Sequence, residues 1–182
     1  SRAKDLYESL QLELWESMSS LELCIAGTKM LIDRLRELNV DSFRRPDGSP
    51  SRLFLGKSSP ELIENEIIPS LSVDQVMAAC EPGGWLDCWL SDSWITLVFA
   101  RWENYYRPSF AELFDVNANS ISSEVMGDIR LLRNDVVHHS GLASEGNACR
   151  CKVLNAPQSG QRILLGVDEI RVLVQELRVA VV

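Results

Sequence analysis

The chain of 182 residues carries 46% hydrophobic and 24% charged residues, ordinary globular values, and is long enough to bury a core as one domain spanning residues 1–182. No apolar run approaches the roughly 20 residues needed to cross a bilayer, which predicts a chain without membrane spans. The net charge of −8 excludes a broadly basic surface of the kind that binds nucleic acid non-specifically, so any nucleic acid must be met by a local cluster of cations.

The opening SRAKDLYESL lacks the basic, apolar, small-residue order of a signal peptide and starts without Met, which leads us to expect a cytoplasmic protein or a piece of one. Leu6, Leu10, Leu14, Met18, Leu21 and Ile25, then Leu31 or Ile32 and Leu35, recur every three to four residues. That period predicts one long amphipathic helix over residues 3–38, bent near Gly27. Residues 39–59, with FRRPDGSPSR at their centre, read as a long exposed loop. Ser59-Pro60-Glu61 opens a short helix that Pro69 closes. Ser72 with Gln75 three residues on forms a capping box, opening a second short helix that Glu81-Pro82-Gly83-Gly84 ends.

Residues 85–106 form a second long helix, rich in Trp85, Trp89, Trp94 and Trp102, and expected to end before Pro108. Being apolar around much of its circumference, it is expected to be central or to cover a partner subunit. A helix over 122–139 is stopped by Ser140 and Gly141, the glycine standing where a left-handed residue belongs. Residues 149–154 and 162–166, separated by PQSGQ, suggest a small β-hairpin, and a last helix covers 168–182. The fold class is therefore all-α, a bundle of two long and several shorter helices with a small hairpin near the C-terminus.

Five cysteines, Cys24, Cys80, Cys88, Cys149 and Cys151, are odd in number and irregular in spacing, which argues for reduced thiols. Cys24 and Cys88 lie in apolar helical stretches and are expected to behave as small buried hydrophobes. Cys149-x-Cys151 lacks a second pair to complete a tetrahedral site, so neither a metal nor another cofactor is expected.

The two histidines of the chain are adjacent, His138 and His139, so imidazole chemistry is confined to one helix end. Upstream, DIRLLRNDVVHH places Arg133 and Asn134 before His138 as RNxxxH, a pattern met by chance in a chain this long on the order of one time in a hundred. Arg133 and His138 are five positions apart, about 140° around an ideal helix and roughly 7–8 Å along it, so they converge poorly within one chain. Asn134 and His138 share a face at i and i+4, within reach of a hydrogen bond that would orient the imidazole. The helix C-terminus favours a protonated imidazole. His139 continues the series Val125, Ile129, Leu132, Val136 and is expected to pack. Arg133 paired with an acid such as Asp128 or Glu103, and His138 as a plain helix end, is the reading without chemistry.

RNDVVH near the end of a long helix in an all-helical chain resembles the RNxxxH motif of the HEPN superfamily. Trp102-Glu103 in SWITLVFARWENYYRP is similar to an aromatic helix that some of its families carry. The resemblance covers roughly residues 6–179 as a helix order. It implies a metal-independent endoribonuclease, of a toxin or antiviral-effector type, that acts as a homodimer with facing motifs, with RNA as substrate and an antitoxin or larger effector assembly as further partner. Arg133, Asn134 and His138 would be the active positions, with His139, Glu103 and Arg130 in supporting roles. His138 would move protons at the 2'-hydroxyl or the leaving 5'-oxygen, and Arg133 would stabilise charge on the phosphate. Two other readings compete: a HEPN-like module that binds or dimerises without catalysis, and an unrelated helical interaction domain.

Overall fold

The computed structural model describes residues 2–38, 46–49, 52–54, 70–155 and 157–181. In chain order these form α1 (Arg2–Glu37), β1 (Arg52–Phe54), β2 (Ser70–Ser72), α2 (Val73–Cys80), α3 (Trp85–Arg101), a π-turn (Trp102–Tyr106), α4 (Arg107–Phe114), a 3-10 turn (Ala118–Ser120), β3 (Ile121–Ser122), α5 (Glu124–His138), α6 (Glu145–Ala148), α7 (Val167–Glu176) and β4 (Ala180–Val181). The fold is mostly helical. The chain divides into two compact units, one of Ser1–Cys24 with Cys88–Val182 and the other of Ile25–Asp87.

In the larger unit, α1 and α3 run antiparallel, Trp94 meeting Ser17 and Arg101 meeting Glu13. Arg101 grips Glu13 with Nε and Nη2 at 2.6 and 2.9 Å. Trp94 Nε1 donates to Ser17 Oγ at 3.1 Å, and Tyr106 Oη donates to Glu13 Oε2 at 2.6 Å. Leu10, Leu14 and Met18 of α1 are buried, as are Trp94, Ile95 and Val98 of α3. Removing such side chains from water stabilises by about 1.5–3 kcal/mol each, offset in large part by their ordering. Trp89 and Leu97 of α3 remain 59% and 58% exposed, so α3 has one buried face and one solvent face rather than being enclosed.

The expected stop before Pro108 does not occur. The helix opens into the π-turn, where the Arg107 N–H bonds the Trp102 carbonyl five residues back, and continues as α4 with Pro108 in its first turn. Proline is tolerated there because first-turn N–H groups bond outside the regular pattern, and the wider turn relieves the ring's conflict with the preceding carbonyls.

A small antiparallel two-stranded sheet does lie near the C-terminus, but it joins Ile121–Ser122 to Ala180–Val181. Residues 149–154 and 162–166 do not pair as a hairpin; one isolated bridge, Leu142 to Arg162, holds that region. The final helix ends at Glu176 rather than Val182, and the chain after it turns extended to supply β4.

In the smaller unit, Ile32 and Leu35 of α1 pack with Val73, Val76, Ala79 and Cys80 of α2. The capping box forms as read: Ser72 Oγ accepts from Gln75 N at 3.1 Å and Gln75 Oε1 from Ser72 N at 2.8 Å. α1 continues through Gly27 as helix. Within the expected 39–59 loop, Asp47 stabilises a turn by accepting from Ser49, while Arg52–Phe54 is a strand paired with Ser70–Ser72. The helix expected between Ser59 and Pro69 lies outside the described residues. Cys24 is exposed and Cys88 half-buried, so neither is the fully buried hydrophobe expected of it, whereas Cys80 is buried. Among the described residues no helix is long and apolar enough to cross a membrane.

Candidate functional site on the outer face of α5

The two faces of α5 carry opposite chemistry. Val125, Met126, Ile129, Leu131 and Leu132 point inward together with two acids, Asp128 and Asp135, which are 2% and 1% exposed. Buried carboxylates persist only when their oxygens are satisfied, and these are. Asp128 accepts the backbone N–H groups of Lys152, Val153 and Leu154 at 2.8–3.1 Å. Asp135 accepts from Ser144 N and Oγ at 3.0 and 2.8 Å and from Asn147 Nδ2 at 2.6 Å. The two acids thereby fasten the segment after α5 back onto the helix.

Arg130, Val137 and His138 are exposed on the outer face, and Arg133 and Asn134 are half-buried. Because both inward acids are engaged with the following segment, neither neutralises this face, and Glu124 pairs with Lys152 at 2.8 Å. Arg133 finds no carboxylate among the described residues. Its guanidinium lies over the Phe99 ring, 5.9 Å from the centroid, and Nη1 reaches Asn134 Oδ1 at 3.4 Å. The pairing with Asp128 or Glu103 that would have made Arg133 purely structural is absent, since Glu103 takes Arg107 Nη1 on both oxygens at 3.0 and 3.2 Å. The expected hydrogen bond between Asn134 and His138 is not formed; Asn134 faces Arg133 instead.

Helix α5 ends where the glycine signal places it. His139 N and Gly141 N both bond the Asp135 carbonyl, at 2.9 and 3.1 Å, and Ser140 and Gly141 adopt φ of 52° and 76°. Arg162 clasps this turn, with Nη1 on the Ser140 carbonyl and Nη2 on Asp92 Oδ2. His138 is the last helical residue and stands in solvent. The expectation that His139 packs on the apolar stripe is corrected. With φ −123° and ψ 21° it has left the helical path, and its side chain is 53% exposed with Nε2 4.0 Å from Asp135 Oδ1.

The structure thus groups Arg130, Arg133, Asn134 and His138 on one accessible face, leaves Arg133 and His138 without mutual contact in one chain, and holds Glu103 one helix away. Such a face can contact a phosphodiester with guanidinium groups and offer an imidazole for proton transfer. Among the described residues no cluster of three or more His, Cys, Asp or Glu is arranged to hold a metal ion. Asp128 and Asp135 were missed as positioning groups, although their signal is present: both occupy core positions of the helix period, at three and ten residues after Val125. No family model, no curated protein and no solved structure matches the chain.

Proposed function

We propose that this protein is an endoribonuclease of HEPN type, acting at a site that two copies of the chain complete together. The observation that carries the reading is the uncompensated cationic face of α5: in a chain of net charge −8, Arg130 and Arg133 lack acid partners among the described residues and precede an accessible His138 on the same helix. Arg133 of one copy would hold the scissile phosphate through its planar donors while His138 of the other takes the 2'-hydroxyl proton. The 2'-oxygen then bonds to phosphorus, the bond to the 5'-oxygen breaks, and that oxygen receives a proton from an imidazolium. The products are a 2',3'-cyclic phosphate and a 5'-hydroxyl, a route closed to DNA. Exposed Leu12, Trp15, Trp89 and Leu97 provide apolar surface for self-association.

The test is cleavage of single-stranded RNA with and without EDTA, using the parent chain, Arg133→Ala, His138→Ala and a mixture of the two variants. Cleavage unaffected by EDTA, lost in each variant and partly regained in the mixture is expected. An unchanged rate in His138→Ala, or a strict monomer by sedimentation at micromolar concentration, would end this reading. A dimer without any cleavage would instead favour a binding module.

A further inference from the structure

His138 is the last residue of α5, and helix ends fray unless something beyond their own hydrogen bonds holds them. A group that moves protons must stand within roughly 0.5 Å of its working place. Arg162 holds the turn that follows this histidine. Its Nη1 donates to the Ser140 carbonyl and its Nη2 to Asp92 Oδ2 on α3, and Gly141 leaves its Cα bare beneath the guanidinium, where a Cβ would collide. We propose that Arg162 and Asp92 are positioning residues of the site, a latch that fixes the His138 end of α5 against α3; the proposal rests on the ribonuclease reading.

The latch belongs to the same frame that supports the other active group. Asp92 and Phe99 are seven residues apart on α3, two turns, and so point within about 20° of one direction. Phe99 lies under the Arg133 guanidinium, so one face of α3 carries the supports of both Arg133 and the His138 end. Backbone bonds already tie residues 161–165 to the turn and to α3: Ile163 N donates to the Gly141 carbonyl and Ala143 N to the Gln161 carbonyl, both at 2.8 Å, while Leu165 N donates to the buried Ser91 Oγ at 2.9 Å. Those bonds do not need the Arg162 side chain. What the side chain adds is a link from α3 to Ser140, two residues after His138.

The pair is also ill suited to a purely stabilising role. Asp92 Oδ1 and Arg162 Nε are both buried without a hydrogen-bond partner among the described residues. An ion pair drawn out of water with an atom of each member unsatisfied contributes little net stability, whereas it still specifies one geometry. The geometry it specifies is that of the turn carrying both histidines.

The test compares the parent chain with Arg162→Lys and with the paired apolar replacement Asp92→Leu/Arg162→Met. Lysine keeps the charge beside Asp92 but, as a point donor, does not span the carboxylate and the Ser140 carbonyl as the planar fork does. The paired replacement leaves neither charge buried alone, so its melting temperature should stay within about 4 °C of the parent. On single-stranded RNA we expect kcat to fall roughly tenfold to a hundredfold in both variants with KM changed less than about threefold, because a displaced proton-transfer group alters the chemical step rather than binding. In nitrogen-15 relaxation spectra the amides of His138, His139 and Ser140 should be as ordered as the interior of α5 in the parent and lose that order in both variants. A folded variant of either kind whose kcat stays within about twofold of the parent, or whose three amides stay ordered, overturns the proposal. If the paired replacement does not fold, Arg162→Lys decides alone. If the parent chain cuts no RNA, the ribonuclease reading falls and amide order decides the latch by itself: order lost in the variants upholds it, and order kept removes it.

Discussion

Asp128 and Leu154 are joined inside the core, the Oδ2 of the acid accepting the leucine N–H at 2.9 Å. The same carboxylate also holds Lys152 N and Val153 N, so Asp128→Ala leaves several N–H groups unsatisfied where water has little access. We expect a loss of about 3 kcal/mol or more by urea denaturation, and roughly half of that for Asp128→Asn, which keeps one acceptor. A loss below 1 kcal/mol for Asp128→Ala, on the order of a surface substitution, would refute the anchoring role.

The turn after α5 makes a paired prediction. Gly141 has φ of 76°, and a Cβ there would collide with the Arg162 guanidinium. Gly141→Ala should destabilise by about 1–3 kcal/mol. Ser140→Gly, at φ of 52°, should remain within about 1 kcal/mol of the parent, because glycine adopts the left-handed region freely. Thermal melts of the two variants read the contrast directly, and equal melting temperatures would contradict it.

The adjacent histidines are expected to separate by function rather than by burial. Both are exposed, so each alanine variant should keep its stability within about 0.5 kcal/mol. RNA cleavage should fall roughly 10² to 10⁴-fold in His138→Ala and only a few-fold in His139→Ala. Comparable losses in both would mean that His139, 4.0 Å from Asp135, shares the proton transfer.

Cys149 and Cys151 are expected to react at different rates. Burial, reinforced by the charges of Asp128 and Asp135, pushes the Cys151 thiol up to about 11 from 9.0, whereas Cys149 is exposed. Iodoacetamide at pH 8.5 should therefore label Cys149 well before Cys151. Because the folded value lies above the unfolded one, the protonated thiol contributes stability below pH 9 that is lost as pH rises toward 11. Urea midpoints at pH 8 and 10.5 should diverge more for the parent than for Cys151→Ala, and the same divergence in both would remove Cys151 as the cause.

Period and caps made the helices legible. Leu10, Leu14 and Met18 announced the buried face of α1, Ser72 with Gln75 the start of α2, and Gly141 the end of α5. Non-local pairing was not legible: Ile121–Ser122 meets Ala180–Val181 across the chain, and two-residue strands carry no alternation from which to read it. On the site, helical spacing alone places Asn134 and His138 on one face and separates Arg133 from His138; that Arg133 would lie over Phe99 without a carboxylate partner among the described residues is not legible in it. His139 was misassigned because the helical period was carried one residue past the end that Ser140 and Gly141 impose.

Val98, Trp102, Tyr106 and Phe110 are all buried and follow one another at strict intervals of four. At constant α-helical pitch each interval overshoots a full turn by about 40°, so the fourth residue would stand about 120° from the first and leave the core. The wide turn at Trp102–Tyr106 returns that phase. A local change of pitch thus lets a four-residue repeat hold one face across both helices, and the same loosening that admits Pro108 keeps Phe110 aligned with Val98.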